Sequence, residues 1–512
     1  MPTEADQHSR RARFAPQRCL QQAAPLVRLA GLSLMLALAT PLADLVVATT
    51  SMTAATHGWG LVTRAEAKRA KPSAKSAAKA REKQRKIEAA LAKARSRNKA
   101  ADSKPAAAPA GAAATPVTTL PNATAAKLPT LQEMRAAVLA APAADLERVG
   151  RHIIVGYHNA GQIVPLIERG GIGGVFVTAR NATGKTKDKL AAEIAHFREL
   201  AAKAGQSRFW VSTDQEGGGV ARLSPPLPRQ PSLARVIVDL KTAEARRLAV
   251  SDYAERQAAA LASIGVNLNF APVADLNLDA RNARDQFTRL RHRAISADPL
   301  IVTEVARTYC EHLAGYGIAC TLKHFPGIGR VIADTHITPA TLKTPRDVLA
   351  AVDWVPFRSV LSTTPAFLMV GHPHVAALDK EPRPASTSAA VIDGVVRKEL
   401  GFDGVVITDD LAMGAIRRRP GGMARAAVDA LMAGADLVLL GLDGDLIYSV
   451  LYAMLEAEKS GELARERLLQ SAERLRKAAT AAALTAQQRP APTPQAGGLN
   501  GRADTGTKTV RQ

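Results

Sequence analysis

Between residues 129 and 483 the chain alternates two kinds of apolar pattern. Short runs rich in β-branched and other apolar residues fall at 152–157, 174–178, 209–213, 266–270, 319–322, 367–370, 404–408 and 436–440. Runs of this length predict buried strands. Between them, stretches such as 243–264, 299–316, 389–400 and 423–433 carry apolar positions at helical spacing. Strand and helix therefore alternate through eight units, which predicts the α/β class and a (β/α)8 TIM barrel as a single catalytic domain. A doubly wound open sheet is the alternative, but it does not bring five strand ends to one place.

The polar motifs fall at the C-terminal ends of the strands, where a barrel builds its site. Asp214 to Gly218 follow the third strand, Asp275 the fourth, Lys323 and His324 the fifth, His372 and His374 the sixth, and Asp409 the seventh. If Val405 and Ile407 face inward, alternation carries Asp409 to the mouth and turns Asp410 away to cap the next helix. Asp334 and His336, spaced i and i+2 on an extended segment, point the same way, so the carboxylate can hold one imidazole tautomer. Such a histidine, with an unperturbed pKa of about 6.5, both gives and takes a proton near neutrality. Gly327 and Gly329 are expected to let the loop that carries it move. The plainer readings are a helix cap at Asp409 and a surface turn or metal-ligand fragment at Asp334 and His336. Arg222 and Arg293 would then be structural partners of Asp214 and Asp275. Glu216 reads as a buried supporting group, and His372 and His374 as hydrogen-bonding residues, since no further His/Cys cluster completes a metal set.

Charge changes the picture only outside this domain. The net charge is +22, yet residues 64–104 alone hold 15 Lys or Arg against 4 Asp or Glu, half of the excess. Residues 49–128 read as a disordered Ala/Lys/Arg- and Pro-rich linker, and 484–512 as a disordered tail, because neither can bury enough apolar surface to offset chain entropy. A basic arm of this kind suits electrostatic contact with acidic envelope polymers or lipids, and no functional nucleic-acid binding is expected. Ahead of it, Arg10, Arg11, Arg13, Arg18 and Arg28 precede a mostly apolar run at 29–48. Residues 1–48 thus read as a signal peptide or membrane anchor, and the protein as exported, periplasmic or at the cell envelope. Cys310 and Cys320 could pair after export, though two buried thiols are the expected outcome.

The motifs GGVFVTARN (173–181), DQEGGGVARL (214–223), FAPVADLN (270–277), HRAISADP (292–299), KHFPGIG with DTH (323–336) and ELGFDGVVITDDLAMGAI (399–416) resemble glycoside hydrolase family 3, in its single-barrel β-N-acetylhexosaminidase branch. The resemblance implies a retaining exo-β-N-acetylglucosaminidase acting on terminal β-linked N-acetylglucosamine, as in peptidoglycan turnover, without metal or cofactor. It makes Asp409 the nucleophile, His336 with Asp334 the acid/base, and Asp214, Arg222, Arg293, Lys323 and His324 the sugar contacts. A retaining mechanism needs such a carboxylate and proton-transfer pair. The chain departs from the family pattern at Ile328, where histidine is usual, at Gly219, where arginine is usual, and at Ile295, where an aromatic residue is usual. Rival readings are a Schiff-base aldolase using Lys323 and a weakly active or inactive sugar-binding barrel tethered to the envelope. A monomer is expected.

Overall fold

A computed structural model describes residues 129–278, 287–441 and 445–487. The leader at 1–48, the linker at 49–128 and nearly all of the tail lie outside the described residues, although 484–487 are helical. Strands β1 (Ile153–Gly156), β2 (Gly174–Phe176), β3 (Trp210–Thr213), β4 (Leu268–Asn269), β5 (Ala319–Phe325), β6 (Phe367–Val370), β7 (Val406–Asp410) and β8 (Leu437–Leu440) form the sheet. They pair in chain order, all parallel, and β8 returns to β1, which closes the barrel. This is the (β/α)8 architecture that the alternation predicts. Strand lengths differ where it matters for chemistry: β5 continues through Lys323 and His324, and β7 through Asp409 and Asp410. These residues are parts of strands rather than of the loops after them, so their backbones are held by neighbouring strands.

Alternation along each strand fills the barrel interior with Ile154, Phe176, Trp210, Leu268, Phe270, Phe367, Met369, Val405, Ile407, Leu437 and Leu439. Trp210 and Phe367 meet edge to face at 5.0 Å between ring centroids in the lower half, and Phe176 lies 5.5 Å from Phe270 in the upper half. The opposite strand faces pack on helices α1 (Leu131–Ala140), α2 (Ala143–Gly150), α3 (Lys187–Lys203), α4 (Ala243–Ala262), α5 (Pro299–Ala314), α6 (Val355–Leu361), α7 (Gly422–Met432) and α8 (Ile447–Lys459). Their starts follow the chain chemistry. Thr186 and Thr242 cap α3 and α4 through their side chains, and Asp298 caps α5 just ahead of Pro299. Among the described residues no helix is long and apolar enough to cross a membrane.

Cys310 on α5 and Cys320 on β5 form a disulfide with a Cα separation of 5.3 Å, correcting the expectation of two free thiols. The two are ten positions apart in sequence. Packing of α5 directly on β5 brings them together, and only the fold supplies that proximity.

The N-terminal ends of the strands are closed by α9 (Arg465–Gln487) and a polar network centred on the fully buried Asp436. Its carboxylate accepts from Arg397 (2.6 Å), Arg474 (2.8 Å) and the Val406 amide (2.8 Å). His152 donates from Nδ1 to the Asp436 carbonyl at 2.9 Å, linking β1 to β8. A cavity of about 690 Å³ opens at this end, lined by Ala319, Phe367, Val405 and α9, and it holds no paired carboxylate and imidazole.

Burial pushes the His152 imidazole down from 6.5 to about 4. The unfolded chain therefore takes a proton at this residue before the folded one does. Its contribution to stability is complete above pH 6.5 and is lost as pH falls toward 4, a difference of about 3 kcal/mol. Urea unfolding at pH 7 and pH 4.5 should show a smaller loss for His152→Gln than for the parent protein.

Candidate active site

At the opposite end of the barrel, Phe176, Phe270, Met369 and Leu439 contribute to a cavity of about 390 Å³ whose lining also includes Asp214, Arg222, Lys323, His324, His336 and Asp409. The apolar residues are the uppermost members of the interior layer. Polar groups line the cavity above them because the next inward position on several strands is a charged or imidazole side chain.

Lys323 is buried yet ionised. Its Nζ donates to Asp214 Oδ1 at 2.6 Å and lies 2.7 Å from Glu216 Oε1. Burial by itself strips the proton from such an amine, but the two carboxylates outweigh it and raise its pKa. A Schiff-base lysine must shed that proton to attack a carbonyl, so the aldolase reading loses its chemical basis. Glu216 is gripped from the other side by Arg293, with contacts of 2.8 Å from Nε and 2.6 Å from Nη2. Burial opposes the charge on Glu216, but Arg293 and Lys323 prevail and hold it far below the carboxylate range. Glu216 is thus a supporting anion. The structural partner of Arg293 is Glu216, rather than Asp214 or Asp275.

Asp275 organises the end of β5. Its Oδ2 accepts from the His324 amide (3.0 Å) and from His324 Nδ1 (2.7 Å), while Oδ1 accepts from the Ile328 amide (2.8 Å). This pins the His324 ring with Nε2 left to the cavity. Ile328, at the position where histidine is usual, is buried and held here through its backbone.

Asp334 is buried and Oδ1 receives His336 Nδ1 at 2.9 Å, the pairing expected from their spacing. The same oxygen accepts from the His336 amide (3.0 Å) and the Thr288 hydroxyl (3.0 Å), and Oδ2 accepts from the Phe287 amide (2.8 Å). Burial raises the cost of charging Asp334, but the amides of Phe287 and His336 and the imidazole win and keep its pKa below the ordinary value. Arg293 Nη1 donates to the Thr288 carbonyl at 2.9 Å, so one guanidinium joins the Glu216 anion to the segment that braces Asp334.

The loop is docked as well as braced. Gly414 and Ala415 donate their amides to the carbonyls of His336 (2.9 Å) and Thr335 (3.1 Å). A Cβ on Gly414 would lie 2.2 Å from the Ile337 oxygen, so only glycine allows this approach. Gly329 has a similar reason: a Cβ there would lie 2.1 Å from the Leu276 oxygen. Close packing accounts for this glycine, which the sequence suggested as a hinge.

Asp409 projects from β7 into the cavity, following Val405 and Ile407 on the inward face. Burial pushes its carboxyl up, but His324, His372, His336 and the Asp410 amide outweigh burial and hold it at about 2. It is ionised across the whole neutral range. Asp410 does not cap a helix, since Gly414–Arg417 begins after Met413 without a side-chain cap. A register shift against β8 between Ile407 and Asp410 breaks the simple alternation. Asp410 also lines the cavity, and its Oδ1 accepts from the amides of Gly441 (2.7 Å) and Ala412 (2.9 Å). Burial pushes it up to about 6. His372 spans Ser386 Oγ (2.8 Å) and the Asp410 carbonyl (2.9 Å), and His374 reaches the Asp379 carbonyl (2.9 Å).

Asp409, His336, Asp214, Arg222, Arg293, Lys323 and His324, all picked out in the sequence, line one cavity, with Asp334 directly behind His336. Arg222 is exposed, and its amide donates to the Asp214 carbonyl at 3.1 Å. Sequence reasoning missed Arg180, Phe287 and Thr288. Arg180 stood inside a recognised motif, but nothing in the spacing of Phe287 or Thr288 relates them to Asp334, 47 and 46 positions away.

A closed parallel barrel that gathers carboxylates and a carboxylate-braced imidazole at one end is a frame suited to acid–base and nucleophilic catalysis. Residues 142–478 match the family model described as "Glycosyl hydrolase family 3 N terminal domain", and the chain belongs to that family. A β-hexosaminidase of Xanthomonas euvesicatoria pv. vesicatoria is 35% identical over 281 residues, covering 54% of this chain and 78% of the relative. The structure of a family 3 β-N-acetylglucosaminidase from Paenibacillus superposes with a TM-score of 0.59 at 29% identity, over 69% of this chain and 64% of that one. A family 3 glycosyl hydrolase from Mycobacterium smegmatis gives 0.57 at 32% identity, over 67% and 98%.

Gly414 provides a test of loop docking. Gly414→Ala should lower kcat on a chromogenic β-hexosaminide by about tenfold or more, because a displacement near 1 Å at the imidazole is expensive in rate. KM should change little, since an added Cβ at Gly414 meets only the backbone of Ile337 and His336. Steady-state kinetics with a circular-dichroism control for folding make the measurement.

Proposed function

We propose that this protein is a retaining exo-β-N-acetylglucosaminidase, with Asp409 as nucleophile and His336, oriented by Asp334, as acid and base. The observation that carries the reading is that Asp409 and the Asp334-braced His336 line the same small cavity. The names of the Xanthomonas and Paenibacillus relatives support the substrate class.

In the first step an Asp409 oxygen attacks the anomeric carbon and the bond to the leaving oxygen breaks. The leaving oxygen takes the proton from His336 Nε2, and Asp334 stabilises the changes in charge on the ring. In the second step Nε2, now unprotonated, removes a proton from water. That water attacks the anomeric carbon, frees Asp409 and restores the imidazolium. Net retention follows from two inversions. Lys323, His324, Asp214, Arg222 and Arg293 surround the terminal sugar, where donors and carboxylates together suit its hydroxyls.

The leader supports export, and the buried Cys310–Cys320 disulfide agrees with an oxidising compartment. In that setting the substrate is a cell-wall glycan of the peptidoglycan type. The basic arm holds the enzyme near acidic envelope polymers or anionic lipid, a contact that salt weakens. Deleting residues 64–104 should abolish salt-sensitive retention on isolated envelopes while leaving hydrolysis of a soluble substrate intact. Retention that ignores salt, or survives the deletion, refutes this role for the arm.

On an aryl β-N-acetylglucosaminide, Asp409→Ala should abolish turnover, and His336→Ala should reduce it by about 100- to 10,000-fold. Azide should restore part of the His336→Ala rate and yield the β-glycosyl azide. An α-azide, or full activity in Asp409→Ala, overturns the assignment. Binding of N-acetylglucosamine without any hydrolysis leaves the sugar-binding reading in its place.

A further inference from the structure

We infer that Phe287 is the platform for the leaving-group sugar, so that the cavity extends past His336 into a second subsite that takes a glycan rather than a small aglycone. The inference rests on the glycosidase reading above.

Phe287 is 63% exposed although it lines the cavity. A large ring left in water at the edge of a polar site loses the benefit of burial unless a ligand covers it. Its place is specific. The ring centroid lies 6.1 Å from that of His336, with the planes at 38°. The group that protonates the leaving oxygen has to stand on the leaving-group side of the anomeric carbon. A ring beside that imidazole therefore borders the space through which the leaving group departs. The C–H face of a pyranose is apolar and flat enough to lie on an aromatic ring, as aromatic side chains favour at ligand sites.

The backbone of the same residue fixes its position. The Phe287 amide donates to Asp334 Oδ2 at 2.8 Å, and Thr288 holds Oδ1 at 3.0 Å. Platform and acid/base pair are thereby built as one unit, and any leaving group resting on the ring is placed relative to His336. Substituting the side chain leaves the amide in place, so the two roles can be separated.

The test compares two substrates with alcohol leaving groups, both of which need the same proton from His336. N,N'-diacetylchitobiose presents a second sugar to the ring, whereas methyl β-N-acetylglucosaminide presents only a methyl group. In the full-length protein, Phe287→Ala should lower the ratio of kcat/KM for the disaccharide to that for the methyl glycoside by about fivefold or more. Phe287→Trp should restore it. General damage to the dyad lowers both rates together and cancels in the ratio, so an unchanged ratio overturns the platform. A ratio that falls with Ala and is not recovered by Trp also overturns it, because stacking tolerates either ring. Failure of the parent protein to hydrolyse both substrates overturns the underlying glycosidase reading, and this one with it.

Discussion

Four charged side chains, the buried Lys323 and Glu216 and the partly buried Asp214 and Arg293, are the constraint on which the upper end of the barrel depends. They come from β5 and from the loops that follow β3 and β4. Each ion is tolerable only because the others are present: two anions face two cations at hydrogen-bond distance. Removing one partner from a buried pair typically destabilises by about 3–5 kcal/mol, because an uncompensated charge remains. The cluster is therefore less a source of stability than a geometric lock on the loops it joins. Through Arg293 and Thr288 the lock reaches Asp334, so the electrostatics of the cavity and the orientation of the imidazole share one framework.

That framework explains how a histidine on a long excursion between β5 and β6 can be placed reproducibly. The loop is tied at its root by Asp275, at its tip by the amides of Gly414 and Ala415, and beside the dyad by Phe287 and Thr288. None of these ties uses the imidazole Nε2. The ring is consequently oriented yet available, and His336 remains 40% exposed toward the cavity.

The two ends of the barrel divide their tasks. Around Asp436 and His152, the Asp436 carboxylate takes a backbone amide and two arginines and its carbonyl takes His152 Nδ1, which closes the barrel and couples α9 to the strand ends. Around Asp409, the acceptors are only partly used: Oδ1 takes the Asp410 amide, and three imidazoles favour the anion. The carboxylate is thus held ionised mainly through space, with few donors fixed on it.

Much of this was determined by local patterning. Strand and helix periods specify the barrel, because each run must bury its apolar face, and the i, i+2 spacing of Asp334 and His336 specifies their pairing, because it is a property of extended backbone. Inward placement of Asp409 follows from Val405 and Ile407 in the same way. Other features were decided only by tertiary structure. The role of Asp410 depends on a register shift against a neighbouring strand, the Cys310–Cys320 bond on helix α5 lying over β5, and the need for glycine at 414 on a second loop arriving within van der Waals reach. Phe287 and Thr288 meet Asp334 across more than forty residues of chain. Such contacts follow no period, because they are made between loops, and loop position is set by what the barrel brings together rather than by the residues of either loop alone.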